Sequence, residues 1–187
     1  MVKIGLIHGR FQVLHLKHME YILAAKMRCN TLYIGITNPD DRDVRETDND
    51  LQRSTPCANP LTYFERYEMI HDALLDFGVP RDAFEIVPFP INCPEYILQY
   101  APKDAIYYMS ICDAWDEEKL KMLHGLGVKT EILWRKTPEE KGTTGAEIRQ
   151  CIVEGTEWSH LVPKTVYEYM KKHHLDERVI EQHHLEE

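Results

Sequence analysis

The stretch Ile4-Gly-Leu-Ile-His-Gly-Arg-Phe-Gln-Val-Leu-His-Leu-Lys-His18 decides how this chain folds, because an apolar run, a glycine turn and spaced histidines meet within it. Val2, Ile4, Leu6 and Ile7 form a short apolar segment ending at His8-Gly9, the pattern of a strand buried in a parallel sheet. Met19 to Met27 is rich in good helix formers. The loop from Gly9 to Leu16 therefore joins the carboxyl end of a strand to a helix amino terminus, where open α/β sheets bind ligands.

A helix amino terminus presents unpaired N–H groups and a partial positive charge, so phosphate is its natural guest. Gly9 lets backbone approach closely and Arg10 adds a fixed cation. His15 and His18, three apart, are expected on one side of the first helical turn, donating together to a single oxyanion. The His-x-x-His spacing is not the i, i+4 spacing of helical zinc motifs, and no third ligand is apparent, so no protein metal site is expected.

The chain has 187 residues, 43% hydrophobic and 28% charged, which suits one folded α/β domain and sets wholesale disorder aside. A formal net charge of −9 argues against extended nucleic-acid or anionic-membrane binding, since a phosphate backbone needs a basic footprint. Five scattered cysteines, none in Cys-x-x-Cys, fit free thiols. With no signal peptide or membrane span visible, the expectation is a cytoplasmic protein.

Beyond the first helix, Thr31–Thr37 reads as a second strand, stopped by Asn38-Pro39-Asp40. Residues 40–58 are polar, charged and without periodicity, a long loop that is either solvated surface or a lid over substrate. Thr62 and Glu65 have the spacing of a capping box opening a helix to about Phe77, closed by Gly78. Phe84–Phe89, Ala105–Ile111 and Lys129–Trp134 read as three more strands, with a short helix at Pro94–Tyr100 and an amphipathic one at Asp116–Leu126. Asp113 and Trp115 then lie at the same carboxyl edge as the histidines, Trp115 either stacking on an acceptor ring or packing. The fold class is thus α/β, a Rossmann-like, doubly wound five-stranded parallel sheet.

A second helix start appears at Gly142-Thr-Thr-Gly-Ala-Glu-Ile-Arg149, where Thr144 and Glu147 repeat the capping-box spacing and Arg149 lies one turn inside. Residues 151–187 are expected to form a helical extension packed on the domain of residues 1–150, with a solvated polar tail from Leu175.

The first motif resembles the nucleotidyltransferase superfamily that carries a Gly-x-Phe-x-x-x-His-x-Gly-His signature, and Gly9-Arg10-Phe11-Gln12 looks most like its archaeal-type nicotinamide-nucleotide adenylyltransferases. The run Asn59-Pro-x-Thr-x-x-Glu-Arg66 is similar to a segment of the same enzymes, and Gly142–Arg149 resembles the superfamily's second signature, Ser/Thr-x-x-x-Ile-Arg. Two positions depart: Lys17 replaces the glycine between the histidines, and Ala146 stands where many members carry a hydroxyl.

The resemblance implies attack of an acceptor phosphate oxygen on the α-phosphorus of a nucleoside triphosphate, with release of pyrophosphate. His15, His18 and Arg149 would be the catalytic residues. Gly9, Arg10, Phe11, Gln12, Thr143, Thr144 and Gly145 would join them in holding the nucleotide, with Mg2+ bridging its phosphates. Asn38, Arg66, Asp113 and Trp115 are candidates for the acceptor, Arg66 being either a phosphate anchor or a surface arginine. The leading expectation is ATP plus nicotinamide mononucleotide giving NAD; the alternatives are a cytidylyltransferase using CTP and a small phosphorylated alcohol or phosphonate, and a nucleotide-sensing module without turnover. A homo-oligomer is expected, with small-molecule partners only.

Overall fold

A computed structural model describes residues 1–40, 55–137 and 139–186. Five parallel strands, β1 (Val2–Gly9), β2 (Cys29–Thr37), β3 (Phe84–Phe89), β4 (Ile106–Ile111) and β5 (Lys129–Arg135), lie in the order β3-β2-β1-β4-β5. The strand order reverses between β1 and β4, so the ligand crevice of a doubly wound sheet is expected above them. The fold is the Rossmann-like α/β architecture legible in the sequence.

Helices α1 (Leu16–Lys26), α2 (Tyr63–Asp76), α5 (Gly145–Glu154), α6 (Lys164–Lys172) and α7 (Leu175–Glu186) share one core layer with Ile7, Ile34 and Ile36 of the sheet. The short α3 (Ile97–Tyr100) and α4 (Ala114–Gly125) cover the other face, where Leu6, Phe89, Tyr107 and Met109 are buried. Side chains alternate along a strand, so Ile7 and its neighbours Leu6 and His8 leave β1 on opposite faces. Among the described residues no helix is long and apolar enough to cross a membrane.

One local expectation changes and another falls outside the described residues. Helix α1 begins at Leu16, where the loop read from Gly9 ends, with the His15 side chain as its N-cap. The segment from Leu175 is not a solvated tail but α7, which buries Leu175 and Val179. Its Arg178 donates to the Glu65 carboxylate at 2.8 Å and to the Pro60 carbonyl, so α7 is stitched to the start of α2. Burial raises the Glu65 carboxyl and its Arg178 and Thr62 partners lower it, with the lowering prevailing. Most of the charged loop read at 40–58 lies outside the described residues, which resume at Thr55.

Candidate active site

Both capped helix starts open onto one cleft of about 390 Å³ at the carboxyl edge of the sheet. Gly9, Arg10, Phe11, Gln12, His15, His18, Thr143, Thr144 and Gly145 all line it, as does Asp113. Asn38, Arg66, Trp115 and Arg149 do not.

The His15 imidazole takes an unexpected position. Its Nδ1 accepts from the His18 backbone N–H at 3.2 Å, so Nδ1 carries no proton and Nε2 does. The two rings lie together on one side of the helix start and stack, centroids 3.6 Å apart and 19° between planes. Phe11 supports them: its ring meets His18 edge-on at 5.0 Å and folds over Gly9, where a Cβ would sit 2.8 Å from Phe11 Cζ. Phe11 reaches that place with φ of 54°, a left-handed backbone that bulky residues rarely adopt.

At α5, Thr144 Oγ1 accepts from Glu147 N while Glu147 Oε2 accepts from Thr144 N, completing the capping box. Gly145 and Ala146 carry first-turn N–H groups that have no intrahelical acceptor, and both residues line the cleft. Gly145 is required by close approach, since a Cβ there would lie 2.9 Å from Val13 N and collide with the Gln12 carbonyl. Arg149 donates to that same carbonyl from beneath, and burial lowers its pKa from the ordinary arginine value. Gln12 turns its own side chain away, exchanging two hydrogen bonds with the Leu61 backbone at 2.8 and 2.9 Å.

Arg66 is 2% exposed and so is no surface residue. Its guanidinium donates to the carbonyls of Arg10, Thr37, Asn38 and Thr62, pinning together the ends of β1 and β2. Asn38 adopts φ of 49° and its Oδ1 accepts from Asn92 at 3.4 Å. Asp113 caps α4 by accepting from Asp116 N. Trp115 sits in the first turn of α4, away from the cleft lining.

Lys17, in place of the motif glycine, is accommodated by another glycine: its Cε lies 3.1 Å from where a Gly142 Cβ would be. Its ammonium pairs with Glu20 at 2.8 Å, and Lys136 approaches the same carboxylate at 3.7 Å. These cations hold Glu20 below the usual carboxylate range.

Several cleft residues escaped the sequence reading, among them Trp134, Tyr21, Lys119 and His8. Trp134 faces it with Lys136 Nζ 4.6 Å over its ring, and Tyr21 packs edge-on to Trp134 at 6.1 Å. A register shift after Met109 leaves Leu133 between paired positions, so simple alternation along β5 misplaces Trp134. Lys119 pairs with Asp116 at 2.6 Å. His8 is 8% exposed and stacks on Phe89 with centroids 4.8 Å apart. Its available signal was parity with Leu6 at the end of an apolar strand.

Two helix starts, paired imidazoles and surrounding cations can bind a polyphosphate and stabilise charge developing on it. Such a cleft on a doubly wound sheet is that of a nucleotidyltransferase. A profile of the family described as cytidylyltransferase-like matches residues 6–151, and the chain belongs to that family. It is 46% identical over 175 residues to a phosphonoformate cytidylyltransferase of Streptomyces viridochromogenes, covering 94% of each chain. A nicotinamide-nucleotide adenylyltransferase of Saccharolobus solfataricus is 31% identical over 182 residues, covering 95% of each. The fold resembles that of a bifunctional NMN adenylyltransferase/ADP ribose pyrophosphatase of Francisella tularensis, with a TM-score of 0.68 at 14% identity; the likeness spans 96% of this chain and 52% of that one.

Proposed function

We propose that this enzyme is a cytidylyltransferase that joins CTP to a small phosphonate such as phosphonoformate and releases pyrophosphate. The observation that carries the choice of substrates is the 46% identity, across nearly all of both chains, to a phosphonoformate cytidylyltransferase, against 31% to an adenylyltransferase. The preference for ATP and nicotinamide mononucleotide drawn from the motifs gives way accordingly. Both readings share the two signatures, so the motifs alone do not separate them.

In the reaction an oxygen of the acceptor phosphonate attacks the α-phosphorus of CTP. A new P–O bond forms and the bond to the β-phosphate oxygen breaks, its electrons leaving with pyrophosphate. The acceptor oxygen is already anionic near neutral pH, so the protein needs to align reactants and neutralise charge rather than supply a nucleophile. His15 donates from Nε2 because its Nδ1 is committed to capping α1. His18 and the Gly145 and Ala146 N–H groups join it around the α- and β-phosphates, with Arg10 as fixed cation. Arg149 acts one step back, holding the Gln12 carbonyl and so the loop that shapes the site. Mg2+ arriving with CTP would supply further neutralisation of triphosphate charge, beside the Arg10 cation of this chain.

The test is pyrophosphate release with CTP or ATP crossed against phosphonoformate and nicotinamide mononucleotide. CTP with phosphonoformate is expected to turn over at least a hundredfold faster than ATP with the mononucleotide; the reverse order would reject the proposal.

A further inference from the structure

We infer that His8 is a specificity-determining residue that binds the second, non-reacting anionic group of a compact acceptor, with Lys119 as its counter-charge. This rests on the reading of the site as one that takes a small phosphonate.

The first observation is an unsatisfied atom. His8 is 8% exposed and lines the cleft, yet among the described residues its buried Nδ1 has no hydrogen-bond partner. A buried polar atom without a partner is destabilising, and an apolar side chain in the same place would avoid that. The site keeps the imidazole nonetheless.

The second observation is that the ring is held in place. Gly35 is its neighbour across the β1–β2 register, and a Cβ there would lie 2.7 Å from Phe89 Cδ2. The missing Cβ lets Phe89 sink against the sheet, and His8 lies flat on it, with 9° between ring planes. The imidazole is therefore held at the cleft wall with little rotational freedom to lose on binding.

The third observation is location. His8 leaves β1 on the face covered by α3 and α4, whereas α1 and α5, with the triphosphate groups assigned to their helix starts, pack on the other. Lys119 reaches the cleft from α4, on the His8 side, with Asp116 as its salt-bridge partner. A neutral imidazole, which burial and Lys119 both favour, offers one N–H donor to a carboxylate, and the lysine supplies the positive field. Phosphonoformate carries such a carboxylate beside its phosphonate, and methylphosphonate does not.

The experiment is binding of phosphonoformate, phosphonoacetate and methylphosphonate to the full chain by calorimetry, in wild type, His8→Leu and His8→Gln, with CTP binding measured in parallel. Wild type is expected to prefer the two-anion ligands at least tenfold over methylphosphonate. His8→Leu should lose that preference with CTP affinity within twofold, and His8→Gln, which keeps a donor, should restore part of it. Imidazole 15N shifts of wild-type His8 should move with phosphonoacetate and not with CTP, a readout that does not depend on how any variant folds. Equal preference in His8→Leu and wild type, or no preference in wild type, would overturn the inference. Selective binding without pyrophosphate release from CTP would instead sink the proposed reaction and leave the His8 subsite standing.

Discussion

The Arg149 guanidinium donates to the backbone carbonyl of Gln12, a residue 137 positions away in the chain, and so locks the second helix start against the first. Gly145 packs so close to the same carbonyl that a Cβ there would collide with it.

Replacing Arg149 by Met should therefore act on both stability and rate. The orphaned Gln12 carbonyl costs about 1–3 kcal/mol, and the displaced loop should lower turnover at least tenfold. Urea unfolding paired with pyrophosphate release checks this; a variant as active as wild type would show that the clamp does not shape the site.

His15 serves two roles that substitution can separate. Asn is a good N-cap and His15→Asn should hold stability within about 0.5 kcal/mol of wild type, whereas His15→Ala should lose about 1 kcal/mol. Neither supplies the Nε2 donor, so turnover should fall roughly a hundredfold or more in both. Full activity in His15→Asn would reduce the residue to a cap.

Arg66→Lys tests the carbonyl clamp. A lysine ammonium cannot reproduce a planar fork that spans four carbonyls. We expect a loss of roughly 2–4 kcal/mol by thermal or urea unfolding. An unchanged melting temperature would show that the carbonyl clamp does not contribute to stability.

Acid should destabilise the protein through His8. Burial lowers its pKa from 6.5 to about 3. Between those values the unfolded chain binds a proton that the folded chain does not, so stability falls as pH drops through this window, by up to about 1.4 kcal/mol per pH unit. Unfolding of wild type and His8→Leu from pH 7.5 to 4.5 should show the variant gaining relative stability as pH falls. Parallel curves would mean that His8 does not carry the slope.

The sheet and both capping boxes were legible because each rests on a local pattern: apolar runs of strand length, and Thr-x-x-Glu at 62–65 and 144–147. Arg66 was partly legible, since positions 66, 69, 70, 73 and 74 form the buried stripe of α2 and the arginine lies on it. What local pattern could not give was tertiary partnership. Three of the four carbonyls that hold Arg66 come from the distant ends of β1 and β2, and Trp134 lies beyond a register shift. Helix α7 was obscured by its charge, because only Leu175 and Val179 of its residues are buried.

Adjacent residues of β1 leave the strand on opposite faces, so position 8 can change without touching the layer that contains Ile7 and α1. The proposed acceptor floor and the transfer machinery are then open to separate selection. A duplicated copy of such a gene could drift toward a new acceptor through a handful of substitutions around position 8 while the pyrophosphate-releasing step stayed under constant constraint. One strand with two faces thereby makes the choice of acceptor evolvable apart from the chemistry.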